Sequence, residues 1–332
     1  MAVSRLLFLA MLALPGAIVL AGCPRPAPQA RPQGSPGAVP EATSRADVAL
    51  PADTSAVPSG WVVSPRNAQR LGEAGYRVLH QKTGIEMVYV PSGSFLMGSE
   101  EGDDQKPPHR VELDGFWLGR TEVTVGQWRR VMGSVPRDPN GPRENVNDRG
   151  DEHPVQSANW EQARTFCSKL GLVLPTEAQW EYAARGPQAR AYPWGDTWDA
   201  GLCQSSDNLH GHPKTAPVGS LPEGASWCGA LDLAGNVWEW CWDCYEAKSY
   251  GTAGATARNP EFRDESYCAV QRGGSWRSSA KACRSATRSW LEQYFSAPDL
   301  GFRVSLDPRD PRGQERGASD PRRPDWVPPV LP

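Results

Sequence analysis

The sequence lacks the features that several common functions need. Its formal net charge is -3 over 332 residues, with a pI near 6.0. That balance gives no basic footprint, which argues against nucleic acid as a partner. Histidines are few: His80, His109, His153, His210 and His212. None stands in a His-Glu-x-x-His spacing, and His210 and His212 read as a surface pair on a loop rather than as metal ligands. Gly273-Gly274 forms a single turn and not a phosphate-cradling loop. Heptads and solenoid-length repeats are absent, which excludes coiled coils and repeat arrays.

Long apolar runs are also missing. Leu6 to Leu20 is interrupted by Pro15 and Gly16 and falls short of a membrane span. With Arg5 before it, residues 1–22 read as a signal peptide. The run ends in Leu20-Ala21-Gly22-Cys23, a lipobox pattern that makes Cys23 the lipidated N-terminus. Position 24 is Pro rather than Asp, so no inner-membrane retention signal is visible. The expected location is the cell envelope, on the outer membrane if the cell is Gram-negative. Residues 24–60 hold eight prolines, eight alanines and no aromatic residue. Such a segment cannot bury enough apolar surface to offset its ordering entropy. It reads, with Cys23, as a semi-extended tether over 23–60. Residues 307–332 read as a disordered tail, with Trp326 as its one aromatic.

What is present is concentrated between 61 and 306. That stretch holds 13 of the 14 tryptophans. The 33 glycines and 32 prolines of the chain predict a loop-rich fold. Met87–Pro91 and Phe95–Gly98 predict short strands around a Ser92-Gly93 turn, and Arg110–Leu118 a further strand. Three capping boxes predict three helices: Thr124 with Gln127, Asn159 with Gln162, and Thr176 with Gln179. The first places Val125, Trp128 and Met132 on one face. The second carries Trp160, Ala163, Phe166, Cys167 and Leu170 and stops at Gly171. The third carries Trp180 and stops at Gly186. The remainder is turns and short strands, so the fold class is α+β.

A run of motifs then becomes recognisable. MVYVPSGSFLMGS, LDGFWLGRTEVTVGQW, HPVQSANWEQARTFCSKLGLVLPTEAQWEYAARG, YPWGD, APVGS, GALDLAGNVWEW, RGGSW and LGFRV occur in one order. Over about residues 84–306 the chain resembles the formylglycine-generating enzyme (sulfatase-modifying factor) family. The resemblance implies a C-type-lectin-like formylglycine-generating-enzyme fold with little regular secondary structure. Authentic enzymes of that family oxidise a sulfatase cysteine to formylglycine with oxygen and with copper held by two cysteines. Relatives on the same fold do other things, so the fold does not settle the function.

The family's copper motif places its first cysteine three residues after the serine of Gly-Gly-Ser. Here the segment runs from Arg272 to Arg288. Counted forward from Ser275, the first cysteine becomes Ser278, the histidine after it Ser279 and the second cysteine Cys283. Counted back from Arg288, the loop is three residues shorter and Cys283 matches neither. In both registers the first cysteine is absent. A hydroxyl is a hard, weakly acidic ligand and does not replace a thiolate on Cu(I). Copper is therefore not expected, and Ser275 and Cys283 are what is left of a catalytic set. Ser275 aligns with an active-site serine of the family, and it reads equally as a turn serine.

The resemblance also implies calcium. The site in the LAGNVWEW region would use the side chains of Asp232 and Glu239 and the carbonyls of Gly235 and Val237, which suits an oxygen-seeking cation. The alternative is that Asp232 caps a turn and Glu239 pairs with an arginine. The family's other site falls on Gly201 and His210, which bring no carboxylate. One calcium is expected. Beyond Cys23 seven cysteines remain. An exported chain favours disulfides, and an odd number leaves one thiol over. Cys167, on its helix's apolar stripe, is expected to be that free thiol. The expected pairs are Cys203–Cys228, Cys241–Cys283 and Cys244–Cys268. Three function classes follow. The first is an oxidase of the family, the second a binding module for a peptide or glycan, and the third a subunit of an envelope assembly. The absent cysteine opposes the first, and the anchor and tether favour the others, with the membrane reached through the lipid.

Overall fold

The computed structural model describes residues 60–65, 73–137, 145–264 and 267–306. The expected signal peptide 1–22, Cys23, the tether to residue 59 and the tail 307–332 lie outside the described residues. The strands are β1 (Trp61–Val63), β2 (Arg77–His80), β3 (Ile85–Val90), β4 (Gly93–Met97), β5 (His109–Leu113) and β6 (Phe116–Gly119). Helices α1 (Val125–Met132), α2 (Trp160–Lys169) and α3 (Glu177–Arg185) follow. Strands β7 (Trp238–Cys244), β8 (Cys268–Arg272), β9 (Ser289–Glu292), β10 (Leu300–Gly301) and β11 (Ser305–Leu306) complete the set.

All three helices begin where local chemistry says they should. In each, the cap side chain accepts from the third helical N–H while the glutamine there accepts from the cap N–H. The distances are 3.1 and 3.0 Å for Thr124/Gln127, 2.9 and 3.0 Å for Asn159/Gln162, and 3.1 and 3.0 Å for Thr176/Gln179. Gly186, with φ at 68°, ends α3. No helix among the described residues is long and apolar enough to cross a membrane.

Three sheets result. One runs β1-β2-β3-β6-β11, a second β10-β7-β8-β9, and β4 pairs with β5 alone. The strand expected over 110–118 is therefore two strands in different sheets. Alternation holds through Leu113, but all four residues of β6 are buried, the mark of a strand covered on both faces. The break falls at Asp114-Gly115. A Cβ on Gly115 would sit 2.2 Å from the Tyr89 hydroxyl, so a larger residue at the break would have to displace that ring.

The core has two main parts. One gathers Trp117, Trp128, Trp160 and Phe302 around α1 and α2. Trp128 stacks on Phe166 at 5.5 Å, with Phe302 edge-on at 5.4 Å from Phe166. The other gathers Phe116, Trp180, Tyr182 and Val270 about α3. Every residue of α3 is buried, including Glu177, Glu181 and Arg185. A helix buried on all sides must find internal partners for its charges, and these partners build the site.

Candidate functional site

The segment from Arg272 to Arg288 is fastened to α3 at both ends. Arg288 makes a two-pronged pair with Glu177, Nε to Oε1 at 2.7 Å and Nη2 to Oε2 at 2.9 Å. Arg272 bridges Glu177, at 3.2 Å from Nε, and Glu181. Arg185 pairs with Glu181 at 2.8 Å. Five charges thus alternate in sign through the interior. Burial alone would raise the Glu181 carboxyl, but Arg272 and Arg185 hold it below the usual range.

Between those anchors the backbone turns sharply at Gly273 and Gly274, with φ at 97° and 75°. A Cβ on Gly274 would lie 2.9 Å from the Cys283 sulfur, so glycine is what lets the cysteine sit beneath the turn. Ser275 is fully buried. Its Oγ donates to Asp299 Oδ2 at 2.9 Å and accepts from the Arg277 N–H at 3.3 Å. Ser278 Oγ accepts from the Ser275 N–H at 3.0 Å. These are the bonds of turn serines. No histidine is among Ser275's partners, so it lacks the base that activates a serine nucleophile.

Cys283 is buried in a small cluster with Cys203 and Ala234, with Trp194 and Trp198 packed on it. The neighbouring Cys203 thiol, with burial, pushes its ionisation far up. Cys203 arrives from a loop that docks on the Ser275–Cys283 turn. Both the N–H and the Oγ of Ser206 donate to the Ser278 carbonyl at 3.0 Å. The Asn236 N–H donates to the Gln204 carbonyl at 2.7 Å.

The expected disulfides are thus corrected. Cys203, Cys228, Cys241 and Cys283 are free thiols, so the pairs Cys203–Cys228 and Cys241–Cys283 are not formed. Cys228 lies instead against Ser226 Oγ at 3.3 Å. Cys244 and Cys268 lie on neighbouring strands with no disulfide between them. Cys167 is free and buried, as its helical face implies.

The carried-over calcium set also changes. Glu239 is fully buried and gives both oxygens to Arg303, at 2.6 Å each, and accepts from Trp180 Nε1 at 2.8 Å. Asp232 Oδ2 accepts from the Gly219 N–H at 2.7 Å. Both carboxylates have the structural roles that the sequence left open as the alternative. Beside them stands a residue that sequence reasoning missed. Glu122 is 1% exposed and neither of its oxygens has a hydrogen-bond donor from the rest of the protein. Burial first, then Asp232 and Glu239, push its carboxyl well above the usual range, and burial raises Asp232 as well. Three carboxylates and one guanidinium leave two negative charges (−3 + 1 = −2). Two protons, or one divalent cation, cancel them. Among the described residues no group of three or more His, Cys, Asp or Glu side chains is arranged as a complete metal centre. The residues therefore fit a cation only in part, through Asp232 and Glu122, with Glu239 committed elsewhere.

Where the resemblance implied a second calcium position, His210 Nε2 donates to the carbonyls of Ala200 and Cys203 at 3.0 and 3.1 Å. His212 does not pair with it; its ring lies edge-on to His153 at 6.1 Å.

The family model described as "Sulfatase-modifying factor enzyme 1-like domain" matches residues 76–308. The chain belongs to this family. The family domain is 28% identical over 285 residues to the formylglycine-generating enzyme of Mus musculus, covering 67% of this chain and 75% of that one. It is 30% identical over 248 residues to the hercynine oxygenase of Mycolicibacterium thermoresistibile, covering 62% and 54%. Among solved structures, PvdO from Pseudomonas aeruginosa superposes with a TM-score of 0.63 at 24% identity, covering 70% of this chain and 98% of that one. This likeness supports the α+β formylglycine-generating-enzyme fold.

Set against the family pattern, the domain keeps the frame and changes the contents. Arg272, Gly273, Gly274, Ser275 and the LGFRV arginine, Arg303, all hold the interior together. Ser278, the position reached by counting forward from Ser275, is committed to the Ser275 turn. Cys203, 80 positions before Cys283 in sequence (283 − 203 = 80), was not legible as its neighbour. Glu122 did leave a signal, a carboxylate between Thr121 and the apolar Val123 where a core strand meets a helix cap.

Proposed function

We propose that this protein is a lipid-anchored envelope protein. Its formylglycine-generating-enzyme-like domain binds or assembles with a peptide, glycan or envelope protein and does not oxidise cysteine with copper. The observation that carries the reading is Ser278. Its oxygen is spent on the Ser275 turn, and a hydroxyl there cannot complete a two-thiolate Cu(I) clamp. A second reading, a formylglycine-generating oxidase acting on a sulfatase cysteine, is favoured by the names of relatives and by the thiol that Cys203 sets beside Cys283. Oxygen uptake with a sulfatase-type peptide separates the two.

The anchor rests on Leu20-Ala21-Gly22-Cys23. Cys23→Ser is expected to move the protein from the membrane fraction to the soluble fraction, or to leave it unprocessed. A mature N-terminus found elsewhere and unmodified would refute the anchor.

One calcium is part of the proposal. Asp232 and Glu122 supply its anionic ligands, and the carbonyls of Gly235 and Val237 are the neutral candidates. Bound there, the cation would cancel the two uncompensated charges and tie the β7 approach to the α1 cap. Millimolar calcium is expected to raise the melting temperature, because a ligand of the folded state stabilises it by mass action. Glu122→Gln should abolish that rise. A melt indifferent to calcium and chelator would leave the pair held by protons alone.

A further inference from the structure

The Cys203–Cys283 contact joins two loops that are far apart in sequence, Cys203 following the short 3-10 turn Ala200–Leu202. We propose that these two thiols are a disulfide-forming pair, a redox-modification site that locks the Ser275–Cys283 turn to the loop carrying Cys203. The argument is geometric. The two side chains pack against each other in one small buried cluster. The loops around them are in register through Ser206 with Ser278, Gln204 with Asn236, and Gly235 N–H with the Gly273 carbonyl at 2.9 Å. Gly274 leaves room directly above the Cys283 sulfur. Trp194 and Trp198 are only partly buried, so the cluster lies near the surface rather than deep in either main core.

The chemistry needs an oxidant, here a small-molecule or protein disulfide. Cys203 is the slightly more exposed of the two, at 4% against 0%. Its thiol gives up a proton, and its sulfur attacks one sulfur of the external disulfide, releasing one thiol. The Cys283 thiol then gives up its proton and attacks the Cys203 sulfur, releasing the second. Two thiols of the protein become one disulfide, and the external disulfide becomes two thiols. The pair loses two electrons and two protons in all.

Cys167 is set in the first core, and Cys228 faces Ser226 and the Ala183 carbonyl. The lock spans a long stretch of chain, which favours a stabilising effect.

The test uses the full chain, first reduced and then exposed to glutathione disulfide, with free thiols alkylated under denaturing conditions and peptides mapped by mass. A Cys203–Cys283 cross-linked peptide is expected, together with a melting temperature about 5–10 °C above the reduced form. Cys203→Ser should remove both, and Cys228→Ser should leave both. Mapping of the wild-type chain decides the matter even where a variant fails to fold. Alkylation of both Cys203 and Cys283 after oxidation, or a bridge from either to another cysteine, overturns the proposal. So does uptake of one Cu(I) by a pair that resists oxidation. The mapping involves no substrate, so its failure is distinguishable from failure of the binding reading.

Discussion

Replacing Arg303 by Met is expected to destabilise the domain by about 3–5 kcal/mol at neutral pH, because it leaves buried charge without its partner. Arg303 is fully buried and holds both oxygens of Glu239. It also donates to the carbonyls of Gly119 at 3.0 Å and Leu231 at 2.9 Å, which the variant would orphan. Without it Glu239, Asp232 and Glu122 face one another with no cation. The pH dependence has a definite sign. Arg303 holds down the buried carboxyls of Glu122 and Asp232, so losing it lets both rise further above their unfolded values. A carboxyl raised in this way favours the folded state at low pH and loses that contribution as pH rises. The deficit of the variant relative to wild type should therefore be larger at pH 8 than at pH 5. Urea midpoints at both pH values measure it, and an equal deficit at both would contradict the charge argument.

Glu181→Gln is expected to have an effect of the same order, about 3–5 kcal/mol. It removes the carboxylate that pairs with Arg185 and leaves Arg272 with Glu177 as its charged partner. The loss should be local as well as global. Because Arg272 begins the motif loop and Arg288 ends it, amide exchange across 273–287 should accelerate more than in α2. A surface pair gives the scale. Arg129 and Asp151 are about half exposed, and Arg129→Ala should cost under about 1 kcal/mol. If Glu181→Gln cost no more than that, the ladder would be contributing nothing to hold the loop.

How much of this was written in the sequence depends on how local each interaction is. The three helix starts were legible because a capping box closes over four residues, and Thr124, Asn159 and Thr176 each bond within that span. Cys167 was legible as buried because its helix shows one apolar face. The break at Asp114-Gly115 was not, because Tyr89, which fills the space a side chain would need, belongs to another strand. Nor was the full burial of α3, whose Glu177 and Glu181 read as solvent-facing until Arg272 and Arg288 arrive from about a hundred residues away. The site divides the same way. The turn role of Ser275 follows from Gly-Gly-Ser, whereas the pairing of Cys203 with Cys283 and the cluster of Glu122 with Asp232 come from loop packing alone. The pairing of Glu239 with an arginine was open in the sequence as an alternative. Its partner, Arg303, lies 64 positions on, and only the fold identifies it.

The central claim is that a serine at the first copper ligand's place leaves the domain without the family's oxidase chemistry. The most direct measurement incubates the purified chain with Cu(I), oxygen and a Cys-x-Pro-x-Arg peptide, following oxygen uptake and the peptide's mass. No uptake above the copper-only control and an unchanged peptide cysteine are predicted; in the register that makes the loop three residues short, Ser278→Cys does not rescue turnover either. Conversion of the peptide cysteine to formylglycine by the wild-type chain, abolished by Cys283→Ala, would contradict the claim and leave the protein an oxidase of its family.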